Sequence, residues 1–181
     1  MRYFVFVSIL VVACVSVAQQ PPAAAANADF QQLVTREFGA AFTLDAKFAP
    51  IFADLDGDGV EDVVLIATGK NPLLDAVDLH YQVLDPYDAY FGYGNPRITA
   101  QFAITNVGPP LYLLVVHNWR QPRAKFVIIN LPFEKLSLGR VALKKKKSIP
   151  AIRAEETGGL TADVFWDGKK YRWEPDYMSE Q

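Results

Sequence analysis

The sequence predicts an α+β fold, a predominantly antiparallel β-sheet domain with one or two short helices. Three observations carry that expectation. Val63-Val64-Leu65-Ile66-Ala67, Leu111 to His117 (LYLLVVH) and Lys125 to Leu131 (KFVIINL) are apolar runs of strand length, with the breakers Gly108-Pro109-Pro110 and Gln121-Pro122 around them. Ala162 to Trp166 and Lys169 to Trp173 are β-prone runs around Asp167-Gly168, which predicts a closing hairpin with a type I′ turn. The chain is also rich in rings, 12 Phe, 8 Tyr and 3 Trp, which suits pleated, half-buried surfaces better than helices.

Met1 to Ala18 reads as an export signal. Arg2 precedes an apolar run from Tyr3 to Val17, and Ser16-Val17-Ala18 offers the small residues that a signal peptidase reads. The run falls short of the roughly 20 residues a spanning helix needs. Two processing routes stay open. Cleavage after Ala18 releases a periplasmic or secreted protein; lipoprotein processing at Val11-Val12-Ala13-Cys14 leaves Cys14 lipidated and the chain on the outer membrane. Cys14 is the single cysteine, so a domain cleaved after Ala18 has neither disulfide nor thiol chemistry and depends on its core, with or without a metal.

Residues 19–28 (QQPPAAAANA) read as a low-complexity spacer, and residues 29–181 as a single globular β-rich domain long enough to bury a core. Asp29 is the expected N-cap of a short helix, with Phe30, Leu33, Val34 and Phe38 at helical spacing and Gly39 as its stop. Phe48 to Phe52 is apolar but contains Pro50, which confines it to an edge or irregular strand.

Next comes the stretch around which the chain is organised, Phe52-Ala-Asp-Leu-Asp-Gly-Asp-Gly-Val-Glu-Asp62. Asp54, Asp56, Asp58 and Asp62 repel one another by about 1 kcal/mol per pair at 4 Å even in bulk water, so a positive partner is expected among them. An all-oxygen donor set on a glycine-rich turn suits Ca²⁺. An EF-hand does not fit, because the position that needs a bidentate Glu is Leu65 and a β-branched apolar run follows where a helix should start. The loop therefore reads as a strand-to-strand connection.

At these residues the chain resembles the FG-GAP and VCBS repeat family, whose D-x-D-x-D-G-x-x-D loop is followed by a short aliphatic strand. Asp54, Asp56, Asp58, Gly59 and Asp62 match that pattern, with Val63 to Ile66 as the strand. The resemblance implies Ca²⁺ held by the four Asp side chains and the carbonyl of Val60. The chain carries one copy, so a propeller of several repeats is not implied.

Asn71 to Leu84 (NPLLDAVDLHYQVL) has helix-start signals in Asn71 and Pro72 and would bury Leu73, Leu74, Val77 and Tyr81. Asp85 to Asn95 is a loop with Tyr87, Tyr90, Phe91 and Tyr93 among glycines. Such rings stack on sugars or, more commonly, fold back over a core edge. Ile98 to Thr105 reads as a further strand. Lys144 to Lys147 is the only charge run, and its apolar neighbours make it a solvated edge or loop guarded against pairing, rather than a polyanion site. Glu174 to Gln181 is a polar tail.

No G-x-S-x-G elbow, H-E-x-x-H pair, Walker loop or dinucleotide fingerprint is present. A formal net charge of −2 gives no case for nucleic acid, and two His without a usable Cys argue against zinc. His80 and His117 lack an apparent partner and read as structural, so no catalytic residue is assigned. The expected function is an exported, non-catalytic calcium-binding module that supports protein or glycan binding, with a membrane involved only if Cys14 is lipidated. The alternative is a cell-envelope polymer hydrolase using His117 and nearby carboxylates such as Asp85 and Asp88, since glycoside hydrolysis needs only two carboxyl groups.

Overall fold

The computed structural model describes residues 23–92, 110–143, 147–156 and 158–176. The export signal with Cys14, the start of the spacer, Tyr93, the strand expected at Ile98 to Thr105, Lys144 to Lys146 and the end of the polar tail lie outside the described residues.

Helix α1 (Ala23–Phe38) starts six residues before Asp29, inside the stretch expected to be spacer. Four alanines, the best helix formers, account for the early start. Gly39 ends it with φ +92°, its amide bonded to Thr35 O at 3.1 Å. A side chain is strained at that φ, and a Cβ would also meet Asp75 Oδ2 at 2.3 Å, so the Asp75 carboxylate would have to move.

Ten strands follow. The first sheet takes β1 (Phe42–Leu44), β2 (Ile51–Ala53), β3 (Asp62–Gly69), β4 (Gln82–Leu84), β5 (Leu111–His117) and β6 (Ala124–Ile128). Its order is β1-β3-β5-β6-β4, with β2 paired to β3 beside β1. The second sheet is a meander of β7 (Lys135–Leu143), β8 (Lys147–Glu155), β9 (Thr161–Trp166) and β10 (Tyr171–Pro175). Every pairing is antiparallel except β4 with β6. The fold is thus α+β and mainly antiparallel, as expected.

The continuous apolar runs are explained by layering. Side chains alternate across a strand. Val64, Ile66, Leu113, Val115, Phe126 and Ile128 point towards the second sheet, where Ile152, Ala154, Val164, Tyr171 and Trp173 meet them. Val63, Leu65, Leu114, Val116, Val127 and Ile129 point the other way, onto Leu33, Val34 and Phe38 of α1. The central strands are therefore covered on both faces, and both of their side-chain sets must be apolar.

Three local expectations are corrected. Residues 72–80 form successive turns instead of a helix, with bonds such as Leu74 N to Asn71 O at 3.3 Å and His80 N to Val77 O at 3.3 Å. Leu73, Leu74 and Val77 stay exposed and only Tyr81 is buried, against Phe38 and Phe42. The chain leaves the turns because Gln82–Leu84 pairs with β6 and His80 reverses the backbone at φ 56°. Part of the aromatic loop becomes a short helix, α2 (Pro86–Tyr90), capped by Asp85, which accepts from Asp88 N at 3.0 Å. Tyr87, Tyr90 and Phe91 fold onto Trp173 at centroid distances of 5.0, 4.8 and 5.7 Å. The last hairpin closes with four residues, not two: Trp166 pairs with Tyr171, and Asp167 Oδ1 accepts both Lys169 N and Lys170 N at 2.9 Å. That carboxylate widens the turn, and Gly168 alone takes the positive φ there, at 96°.

Leu114 is fully buried under α1, whereas Leu74 is 66% exposed. Leu114→Ala should lower unfolding free energy by about 2–5 kcal/mol in urea titrations, while Leu74→Ala should stay within about 0.5 kcal/mol of wild type.

Candidate functional site: an acidic loop on the β2–β3 hairpin

The acidic loop connects β2 to β3, which pair through Ile51↔Val64 and Ala53↔Asp62. Its internal scaffold is the Asp54 carboxylate. Oδ1 accepts Gly57 N at 2.8 Å and Asp58 N at 3.0 Å, and Oδ2 accepts Gly59 N at 2.9 Å. Asp56 Oδ1 accepts Asp58 N at 3.2 Å, and Asp58 Oδ1 accepts Val60 N at 2.8 Å. Gly57 and Gly59 sit at φ +77° and +87°, where a side chain is strained whatever the space around it. Curled in this way, Asp54, Asp56 and Asp58 each present a carboxylate oxygen within 4.8 Å of the others.

A cation already sits beside them. Arg123, from the turn before β6, places Nη1 at 2.9 Å from Asp58 Oδ2 and Nη2 on Asp56 Oδ2. The donor set is all oxygen and anionic, and a guanidinium stands where such a set needs positive charge. The oxygen donor set would suit a hard divalent ion held by Asp54, Asp56 and Asp58, while Arg123 already meets part of its charge.

Asp62 and Val60 are placed differently. Asp62 is completely buried, and both its oxygens are engaged by backbone amides, Oδ2 by Leu55 N at 2.8 Å and Oδ1 by Asn118 N at 2.9 Å. Burial pushes its carboxyl up to about 6, against the pull of those two amides. Asn118 is turned to φ 51°, a conformation Asn tolerates, as its N–H meets the carboxylate. Val60 is 39% exposed, with its amide on Asp58.

His117 is not the partnerless residue that the sequence suggests. Its Nδ1 lies 3.1 Å from Asp56 Oδ2 and its Nε2 2.7 Å from the Tyr171 hydroxyl, with the ring packed among Phe126, Trp166 and Tyr171. Burial holds the imidazole below its ordinary range although Asp56 pulls the other way, and burial also pushes the Tyr171 hydroxyl well up. Burial thus favours the neutral form of both groups. With the imidazole proton on Nδ1, facing Asp56, Nε2 would be left to accept the tyrosine O–H. This chain runs from the loop, through the end of β5, to the first residue of β10. Asp85 and Asp88 take no part in it: Asp85 is engaged by Asp88 N and by Asn130 Nδ2 at 2.6 Å.

The loop's outer flank carries a second group. Glu61 Oε1 accepts Trp119 Nε1–H at 3.1 Å and pairs with Arg120 at 3.2 Å, while the Arg120 guanidinium lies 4.7 Å over the Trp119 ring. Trp119, Phe52 and Phe30 meet at centroid distances of 5.7 to 6.1 Å.

The chain matches no family model, no curated protein and no solved structure. The FG-GAP resemblance therefore stands on the loop residues alone. Arg123, Tyr171 and Asn118, missed in the sequence, carry no local motif; Arg123 and Asn118 are placed by the turn between the paired strands β5 and β6, and Tyr171 by the stacking of the second sheet on the first.

Two measurements separate these roles. Asp62→Asn keeps one acceptor but turns an amide N–H₂ against a buried backbone donor, so it should destabilise the protein by about 1–3 kcal/mol in EDTA as well as in calcium. A loss confined to calcium would make Asp62 a ligand instead. His117 has a folded pKa below its unfolded value, so the unfolded chain takes the proton first and stability is lost as pH falls below 6.5. Urea midpoints at pH 7.5 and 5.5 should fall further for wild type than for His117→Gln.

Proposed function

We propose that the protein is an exported, non-catalytic calcium-binding module, in which Ca²⁺ bound by the β2–β3 loop stiffens a surface that meets a protein or glycan partner. The observation that carries this reading is the convergence of the Asp54, Asp56 and Asp58 oxygens within 4.8 Å, with a guanidinium drawn in beside them. The loop's anchors support it. Asp56 is held by His117, and both ends of the loop are tied by Asp62, so most of the ordering that a metal site requires is built into the fold. The aromatic group beside the loop supports the partner: Phe52 is 39% exposed and sits two residues before Asp54, and Trp119 adjoins Asn118.

The hydrolase reading gains one observation, the carboxylate partner of His117. It is carried less far, because the His117 side chain is only 2% exposed and Tyr171, at its other nitrogen, is equally buried. A general base must reach the proton it removes, directly or through one water.

Thermal unfolding in EDTA and in about 1 mM CaCl₂ tests the calcium reading. Binding worth about 1–2 kcal/mol should raise the melting temperature of wild type by about 2–8 °C. Asp58→Asn, which keeps an acceptor for Val60 N but loses the charge, should abolish the rise. An unchanged wild-type melting temperature would remove calcium from the account.

A further inference from the structure

We propose that the Gln31 side chain stands in for a strand at the open edge of β1, and that this contact keeps two copies of the chain from joining their first sheets edge to edge. β1 ends the strand order β1-β3-β5-β6-β4, and no second strand pairs with it among the described residues. Asp45 N donates to Ile66 O at 2.8 Å and Thr43 lies opposite Thr68, so the backbone groups of Thr43 and Asp45 face β3. Those of Phe42 and Leu44 therefore face the open side, since the hydrogen-bonding direction alternates along a strand. A row of that kind is a template for another chain.

Gln31, on α1, meets that row with both ends of its carboxamide. Oε1 accepts Leu44 N at 2.7 Å, and Nε2 donates to Phe42 O at 3.3 Å. Nε2 also donates to Thr35 Oγ1 at 3.2 Å, and that hydroxyl donates to Gln31 O at 3.0 Å, so the next helical turn holds the amide in place. The groups covered are the ones a second copy would use. Antiparallel pairing about a two-fold axis at Thr43 sets Leu44 opposite the other copy's Phe42, so each Leu44 N would reach the other copy's Phe42 O. The edge is thus self-complementary, and Gln31 satisfies the same donor and acceptor within one chain. Leu74, largely exposed, lines an open groove together with Thr43, which leaves apolar surface for a second copy beside this edge.

Light scattering of the whole chain over a dilution series tests the edge contact. The mean mass of Gln31→Ala should climb towards twice that of wild type as concentration rises, while Gln32→Ala, changed at an exposed neighbour on α1, should match wild type. Thr43 is exposed, so Thr43→Lys can be added to Gln31→Ala; it sets two like charges opposite each other at the centre of the pairing and should return the mass to the wild-type value. At the low end of the series, the Leu44 amide of Gln31→Ala should exchange with solvent roughly two- to ten-fold faster than in wild type, having lost its hydrogen bond. A mass for Gln31→Ala equal to wild type at every concentration would overturn the proposal. So would a rise that Thr43→Lys leaves in place, which would trace the association to another surface or to loosened folding, and so would an unchanged Leu44 amide.

Discussion

The buried carboxylate of Asp62 is the constraint on which the acidic loop depends. It is the first residue of β3, and its two oxygens reach Leu55 N, at the start of the loop, and Asn118 N, just past β5. A carboxylate removed from water is expensive unless it is hydrogen-bonded, and here two backbone donors offset part of that expense. Because the donors come from two separated segments, satisfying one side chain fixes the loop's origin against the central sheet. The turn after β5 is fixed by the same bond, and Arg123 follows from that turn. One buried group thereby sets the position of the loop and of its cationic neighbour.

Asp56 occupies the opposite role, between core and solvent. Its side chain is 5% exposed although it belongs to a loop, and its Oδ2 is shared by an inner partner, His117, and an outer one, Arg123. The inner partner is rigid: the imidazole is wedged among Phe126, Trp166 and Tyr171 and bonded to a hydroxyl from the second sheet. The outer partner is a half-exposed chain of rotatable bonds. Orientation of the carboxylate thus comes from within the fold, while its charge is balanced from outside. One guanidinium leaves three converging carboxylates well short of neutral, whereas a divalent ion comes closer.

What the sequence shows and what it hides follow from the range of the interactions. The strands β3, β5 and β6 are legible because burial on both faces demands an uninterrupted apolar run, a local signal. The loop is legible for the same reason, since its carboxylates and glycines lie in one short segment. The partners of His117 are not: Tyr171 lies 54 residues away along the chain and reaches it only when two sheets stack. Residues 71–84 mislead because Asn71 and Pro72 open a turn series as readily as a helix, and nothing local reveals that β6 needs Gln82–Leu84 as a neighbour. Asp167-Gly168 misleads more mildly. The Asp side chain captures two amides, which a count of turn residues does not register.

The same connectivity gives a metal in the loop a short route to the surface. Phe52 lies in β2, two residues before Asp54; Glu61 directly precedes Asp62; Trp119 directly follows Asn118. Phe52 and Trp119 of the partly exposed aromatic group are therefore carried by segments next to those that Asp54 and Asp62 hold. On the calcium reading, binding would not need to move a domain or open a cleft. Ordering the outer part of the loop would reduce the freedom of Glu61, and through it that of Trp119 and Arg120, which it contacts at 3.1 and 3.2 Å. A partner meeting a surface already ordered forfeits less conformational entropy on binding, so metal and partner would favour each other without any change of backbone fold. Thermodynamic linkage makes that preference reciprocal: whatever calcium adds to the partner's affinity, the partner adds to calcium's.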